Sequence, residues 1–193
     1  MRTLIIHPSD RTTDMLRTIY ERIPGKTVIT GGVSRAEIKE LIVSHDRIMM
    51  MGHGCEMGLL AAKQFHTKFS CIVDWEMAPL LREKDNSVFI WCNADVFVKE
   101  FDLTGFYTGM FISEMREAYC RVWGINQSFI DRSNQAFCSA AARHIKNSTP
   151  REVCVKIKNA YGIKVKGNPV VAYNHRRLYY NIGSQKSITK ISA

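Results

Sequence analysis

Short, wholly apolar runs alternate with stretches of helical period along the first half of the chain. Residues 2–7 (RTLIIH), with Leu4-Ile5-Ile6 at their centre and Pro8 closing them, predict a short buried strand. Asp10 is suited to cap a helix in which Met15, Leu16, Ile19, Tyr20 and Ile23 recur at helical spacing until Pro24-Gly25. Residues 27–30 predict a second strand, followed by Gly31-Gly32. Ser34 and Glu37 are spaced as a capping box, and Ile38, Leu41 and Ile42 form the apolar stripe of the helix it opens. Residues 48–51 carry no polar position, the mark of a strand buried on both faces, and residues 87–91 (SVFIW) are likewise apolar after Ser87.

The second half is patterned less evenly. A small hairpin is expected between residues 55 and 69, and a short helix within 74–82 near Pro79. Residues 106–118 read as a helix, 120–123 as a fifth strand and 127–145 as a long helix. Thr149, Pro150 and Glu152 mark a further helix start, with Gly162 beyond its end. Residues 170–173 and 177–180, around Asn174-His175, predict a closing β-hairpin. Strands alternating with helices predict an α/β fold, with a mostly parallel sheet and helices on both faces.

Composition narrows the class. The chain has 193 residues, 46% hydrophobic and 23% charged, as in ordinary globular proteins. No apolar run approaches the roughly 20 residues of a membrane span, and the N-terminus lacks the pattern of a secretory signal. Six cysteines without a CxxC pair predict free thiols and a cytoplasmic protein. From Arg143 onward there are eleven Lys/Arg and one acid, Glu152, a net of +10, whereas residues 1–142 sum to −1. The simplest division is an α/β domain over 1–142 with a basic helix–hairpin extension, 143–193, packed on it. That basic quarter suits nucleic acid, a nucleotide, acidic lipid or an acidic protein partner, or serves only as a solvated surface. Arg176 and Arg177, set among Tyr173, Tyr179 and Tyr180, would hold phosphates and stack bases if they face outward.

Candidate chemistry lies at strand ends, where open α/β sheets bind ligands. His53 follows the third strand between two glycines, and Cys92 follows the fourth. If these strands are neighbours, about 4.8 Å apart, an imidazole and a thiol meet over one cleft. The imidazole would take the thiol proton and later protonate a leaving amine. The backbone N–H groups of Gly54 and Cys92 would serve an oxyanion. A strand-end cysteine also suits the role of a small buried hydrophobe, and a histidine between glycines that of a turn residue. The Met49-Met50-Met51 cluster is expected in the core.

Met51-Gly52-His53-Gly54 and Val88-Phe89-Ile90-Trp91-Cys92, with 39 residues from His53 to Cys92, resemble the motifs of the caspase-like cysteine peptidases. That group includes metacaspases, legumains, clostripains and CHAT-domain proteases. The resemblance implies a caspase-like three-layer fold, His53 as general base and acid, Cys92 as nucleophile and Gly54 as an oxyanion donor. It implies a peptide or protein substrate and no cofactor. Trp91 stands where that group usually has a small or acidic residue, so the pocket for the residue before the scissile bond does not carry over. Asp10 or Asp95 would suit a basic side chain there and Arg11 an acidic one.

Other chemistries fit poorly. His53, Cys55, His66 and Cys71 match no zinc spacing, so no metal is expected. GxGxxG, GxxxxGK[ST] and GxSxG are all absent.

Overall fold

The structure, a computed structural model, describes residues 1–61, 71–146, 148–164 and 167–183. Nine strands occur among them: β1 (Thr3–Ile6), β2 (Lys26–Ile29), β3 (Arg47–Met51), β4 (Gly54–Cys55), β5 (Gly58–Leu60), β6 (Cys71–Val73), β7 (Ser87–Ile90), β8 (Gly105–Thr108) and β9 (Leu178–Asn181). Six of them form one sheet in the order β2-β1-β3-β7-β8-β9. Its pairings are parallel except β8 with β9. The other three form a small antiparallel sheet, β4-β5-β6, on the segment that follows β3.

Alternate residues of the central strands serve two separate cores. Ile5, Met49, Met51, Val88, Ile90 and Phe106 pack with Leu16, Ile19, Phe137, Ile157 and Tyr161. These partners come from a 3₁₀ turn (Asp14–Leu16) and from helices α1 (Arg17–Tyr20), α6 (Gln127–His144) and α7 (Pro150–Lys164). Leu4, Ile6, Ile48, Met50, Phe89 and Tyr107 pack with Ile38, Ile42, Leu81 and Phe97, carried by α2 (Arg35–Ser44), α3 (Ala78–Arg82) and α4 (Ala94–Glu100). The period-2 alternation of side chains thus feeds two apolar layers. The three methionines are fully buried as expected, divided between them.

Local signals account for several elements. Ser34 and Glu37 close the capping box that starts α2, and Thr149 with Glu152 does the same before α7. Arg47 is nearly fully buried on β3, and its guanidinium donates to the Ile145 and Lys146 carbonyls at the end of α6. That contact satisfies carbonyls the helix leaves open and sets a cation against its negative end.

Four expectations need correction. The stretch 106–118 is not one helix: it holds β8, a loop and one helical turn, α5 (Met115–Ala118). Phe106 and Tyr107 face opposite cores, and pairing with both β7 and β9 outweighs a short window compatible with either period. Residues 120–123 form no strand; Cys120 is exposed, as is Trp123. Gly162 lies inside α7, where the ring of His175 approaches its backbone at 3.4 Å from the position of an added Cβ. Of the expected hairpin, the second strand is present as β9, but the first, 170–173, lies within α8 (Pro169–His175). Asn168 accepts from the N–H groups of Val170 and Val171, with Pro169 at the first helical position, a capping pattern that overrides the strand-like VVAY.

The expected hairpin near 55–69 is present as far as β4 and β5, and residues 62–70 lie outside the described part. Among the described residues no helix is long and apolar enough to cross a membrane.

Candidate functional site

β3 and β7 are adjacent and parallel, with Met51 opposite Ile90. The Gly52 N–H still donates to the Ile90 carbonyl at 3.0 Å, so the two strands stay joined until the chain turns. Gly52 turns it at φ +145°, a conformation open to glycine. His53 follows, and its carbonyl accepts from Leu60 N–H at 2.9 Å. Gly54 is required for a different reason. A Cβ there would run into the indole of Trp91 and come within 2.8 Å of the Gly58 carbonyl. The same indole donates from Nε1 to the Cys55 carbonyl at 3.1 Å. Trp91 therefore fastens the turn carrying His53 to the strand that delivers Cys92.

Cys92 lies on the turn between β7 and α4. Thr108 donates to the Trp91 carbonyl at 2.9 Å just before it, and Asn93 takes a left-handed conformation, φ +65°, just after it. His53 and Cys92 line one cavity of about 460 Å³ with Asp10, Gly54, Arg116 and Glu117.

Within it the two candidates have separate partners. His53 Nε2 lies 2.7 Å from the Thr12 hydroxyl, 3.9 Å from Asp10 Oδ1 and 4.0 Å from Glu114 Oε1. The Cys92 thiol points to the Phe111 carbonyl at 3.5 Å and to Glu117 Oε1 at 3.6 Å. Glu117 Oε2 accepts from the Ser113 N–H and hydroxyl and from Glu114 N–H. Three donors thus converge on this one carboxylate oxygen. Burial, and after it the Glu117 charge, push the Cys92 thiol up to about 12. In this arrangement the sulfur is protonated at neutral pH and carries no nucleophilic charge.

The loop over the thiol is anchored from the C-terminal elements. Asn174, fully buried on α8, accepts from Ile112 N–H and donates to the Ile112 carbonyl, both at 2.8 Å. Asn134 on α6 donates to the Ser113 carbonyl at 2.9 Å. Gly109 N–H donates to the Arg177 carbonyl at 2.8 Å.

The remaining expected residues are dispersed. Asp10 borders the cavity, but its carboxylate accepts from the Thr12 hydroxyl and N–H, and these bonds hold its pKa below the ordinary value. It closes a local turn rather than capping a regular helix. Asp95 lies 3.7 Å from Lys99 on α4 and is not among the residues lining the cavity. Arg176 is exposed, whereas the Arg177 guanidinium sits 3.5 Å from the centre of the Tyr173 ring. Among the described residues no group of three or more His, Cys, Asp or Glu is arranged to hold a metal, and His66 lies outside them.

Thr12, Trp91, Glu114 and Glu117 were not legible as site residues. The two glutamates fell within the stretch expected to be one helix, and Thr12 reaches His53 across 41 positions. No family model matches the chain, and no curated protein matches it significantly in sequence.

Proposed function

We propose that this protein is a cysteine peptidase-like hydrolase of the caspase-like group, with that group's three-layer arrangement. Cys92 is the nucleophile, His53 the general base and acid, and the backbone N–H groups of Gly54 and Cys92 the oxyanion donors. The observation that supports this reading is the delivery of both side chains from neighbouring parallel strands to one cavity.

The chemistry follows from those roles. His53 takes the thiol proton, and the sulfur attacks the scissile carbonyl to give a tetrahedral oxyanion. The imidazolium returns the proton to the leaving amine as the carbon–nitrogen bond breaks, leaving a thioester. Water, deprotonated by His53, hydrolyses that thioester and regenerates the thiol. In the resting arrangement the sulfur faces Glu117, so the thiol must swing from that carboxylate toward His53 when substrate enters.

A thiol-directed acylating peptide probe tests this. Cys92 is expected to be the selectively modified thiol among the six cysteines, with modification depending on His53. Glu117→Gln removes the charge that opposes ionisation and should speed modification about tenfold. A Cys92→Ala protein that cleaves a peptide library as well as the native one would overturn the reading.

A second reading rests on the positive charge concentrated from residue 143 onward. His144 and His175 are held below the ordinary value by burial, and after it by cations: Arg143 and Lys156 for the first, Lys158 and Arg176 for the second. Crowded cations of this kind suit an α/β binding module for nucleic acid, a nucleotide or an acidic protein. Binding should then fall log-linearly with salt and weaken in Arg176→Glu/Arg177→Glu; salt-independent binding counts against it.

A further inference from the structure

Thr12 stands between Asp10 and His53. Its hydroxyl oxygen lies 2.6 Å from Asp10 Oδ1 and 2.7 Å from His53 Nε2, and its backbone N–H donates to the same Oδ1 at 2.8 Å. A hydroxyl has one proton to give. Asp10 is ionised, being stabilised as a carboxylate chiefly by these two bonds, and an ionised carboxylate only accepts. The Thr12 proton therefore goes to Asp10. What Thr12 offers His53 is a lone pair, so Nε2 must be the nitrogen that carries hydrogen.

The surroundings favour the same assignment. Glu114 Oε1, 4.0 Å from Nε2, is buried and has no hydrogen-bond partner, while the other oxygen of that carboxylate pairs with Arg116 at 2.6 Å. Every described oxygen facing Nε2 is thus an acceptor. No described residue is hydrogen-bonded to Nδ1.

We propose that Asp10 and Thr12 are positioning residues for His53: they fix its ring and keep its proton on Nε2, so that Nδ1 presents the lone pair that accepts the Cys92 proton. The functional consequence rests on the hydrolase reading, but the tautomer does not. Helix capping, the ordinary use of an aspartate in this position, is here replaced by a chain of two hydrogen bonds ending on the imidazole. A wrong tautomer leaves a catalytic histidine in place but unable to accept the proton.

Long-range nitrogen–proton NMR spectra of the full, ¹⁵N-labelled chain at neutral pH identify the protonated nitrogen of each ring, with His53 assigned by comparison with His53→Asn. The expected result is an Nε2–H whose proton exchanges slowly in the native protein and in Thr12→Ser. In Thr12→Val that exchange should be at least about tenfold faster, as expected for a lost hydrogen bond. Asp10→Ala provides an independent arm should Thr12→Val fail to fold. With its acceptor removed, the Thr12 hydroxyl turns its proton to the ring, and Nδ1–H should gain population. A native proton on Nδ1, or unchanged exchange in Thr12→Val, overturns the proposal. In the acylating-probe assay, Thr12→Val should slow Cys92 modification about tenfold or more with little change in probe affinity, and Thr12→Ser should restore it. If the native protein is not acylated at all, the hydrolase reading fails while the spectra still decide the tautomer.

Discussion

His7 follows β1 and is almost wholly buried, with Nδ1 2.9 Å from the Tyr20 hydroxyl and Nε2 3.3 Å from the Thr13 hydroxyl. Burial, and after it the Arg17 charge, pull its pKa from 6.5 to about 4. The folded protein thus binds this proton less readily than the unfolded chain. The cost of protonating it is absent above about pH 6.5 and grows as the pH falls toward 4, to about 3 kcal/mol at most. Urea unfolding midpoints measured from pH 7 to 4.5 should fall in the native protein, and the slope should flatten in His7→Gln. Equal slopes in the two proteins would show that His7 is not the buried titrating group.

At the scale of elements, the Gly52-His53-Gly54 turn has two glycines for two distinct reasons. Gly52 supplies a backbone conformation, while Gly54 leaves space that the Trp91 indole fills. Trp91 differs from the residue usual in caspase-like peptidases, yet its packing on Gly54 joins the two strands bearing the candidate dyad. Gly54→Ala forces ring and turn apart and should cost about 1–3 kcal/mol, as for other overpacked sites. For a chain of this size that is a drop of roughly 2–4 °C in Tm per kcal/mol. Calorimetry of Gly54→Ala checks this; an unchanged Tm would mean that the indole yields freely.

Across the whole molecule, the segment covering Cys92 is held by residues far along the chain. Asn174 satisfies both backbone groups of Ile112, and its partner lies 62 positions away. Asn174→Leu would leave a buried donor and a buried acceptor unpaired, a loss of about 2–4 kcal/mol from two such groups. It should also loosen the loop that leads into α5 and its Glu117, so that Cys92 reacts faster with a small alkylating reagent. The first effect is read by urea unfolding and the second by mass spectrometry of the labelled thiol. Destabilisation with unchanged labelling would separate the clamp from the site.

The positions of β1, β2, β3, β7 and β9, the Ser34–Glu37 capping box and the start of α7 were legible because each depends on neighbours within a few residues. The apolar runs 48–51 and 88–91 already imply a sheet covered on both faces, since a wholly apolar strand leaves neither face for water. His53 and Cys92 were legible for the same local reason: each follows a buried run immediately. The adjacency of β3 and β7, the embrace of Cys92 by Glu117 and the contact of Thr12 with His53 were decided by tertiary structure alone. Strand order, hydrogen-bond partners across 25 to 62 positions and the exclusion of water have no periodic trace in a sequence. The same holds for β8, where a short run compatible with either period takes strand form because sheet neighbours satisfy its backbone groups.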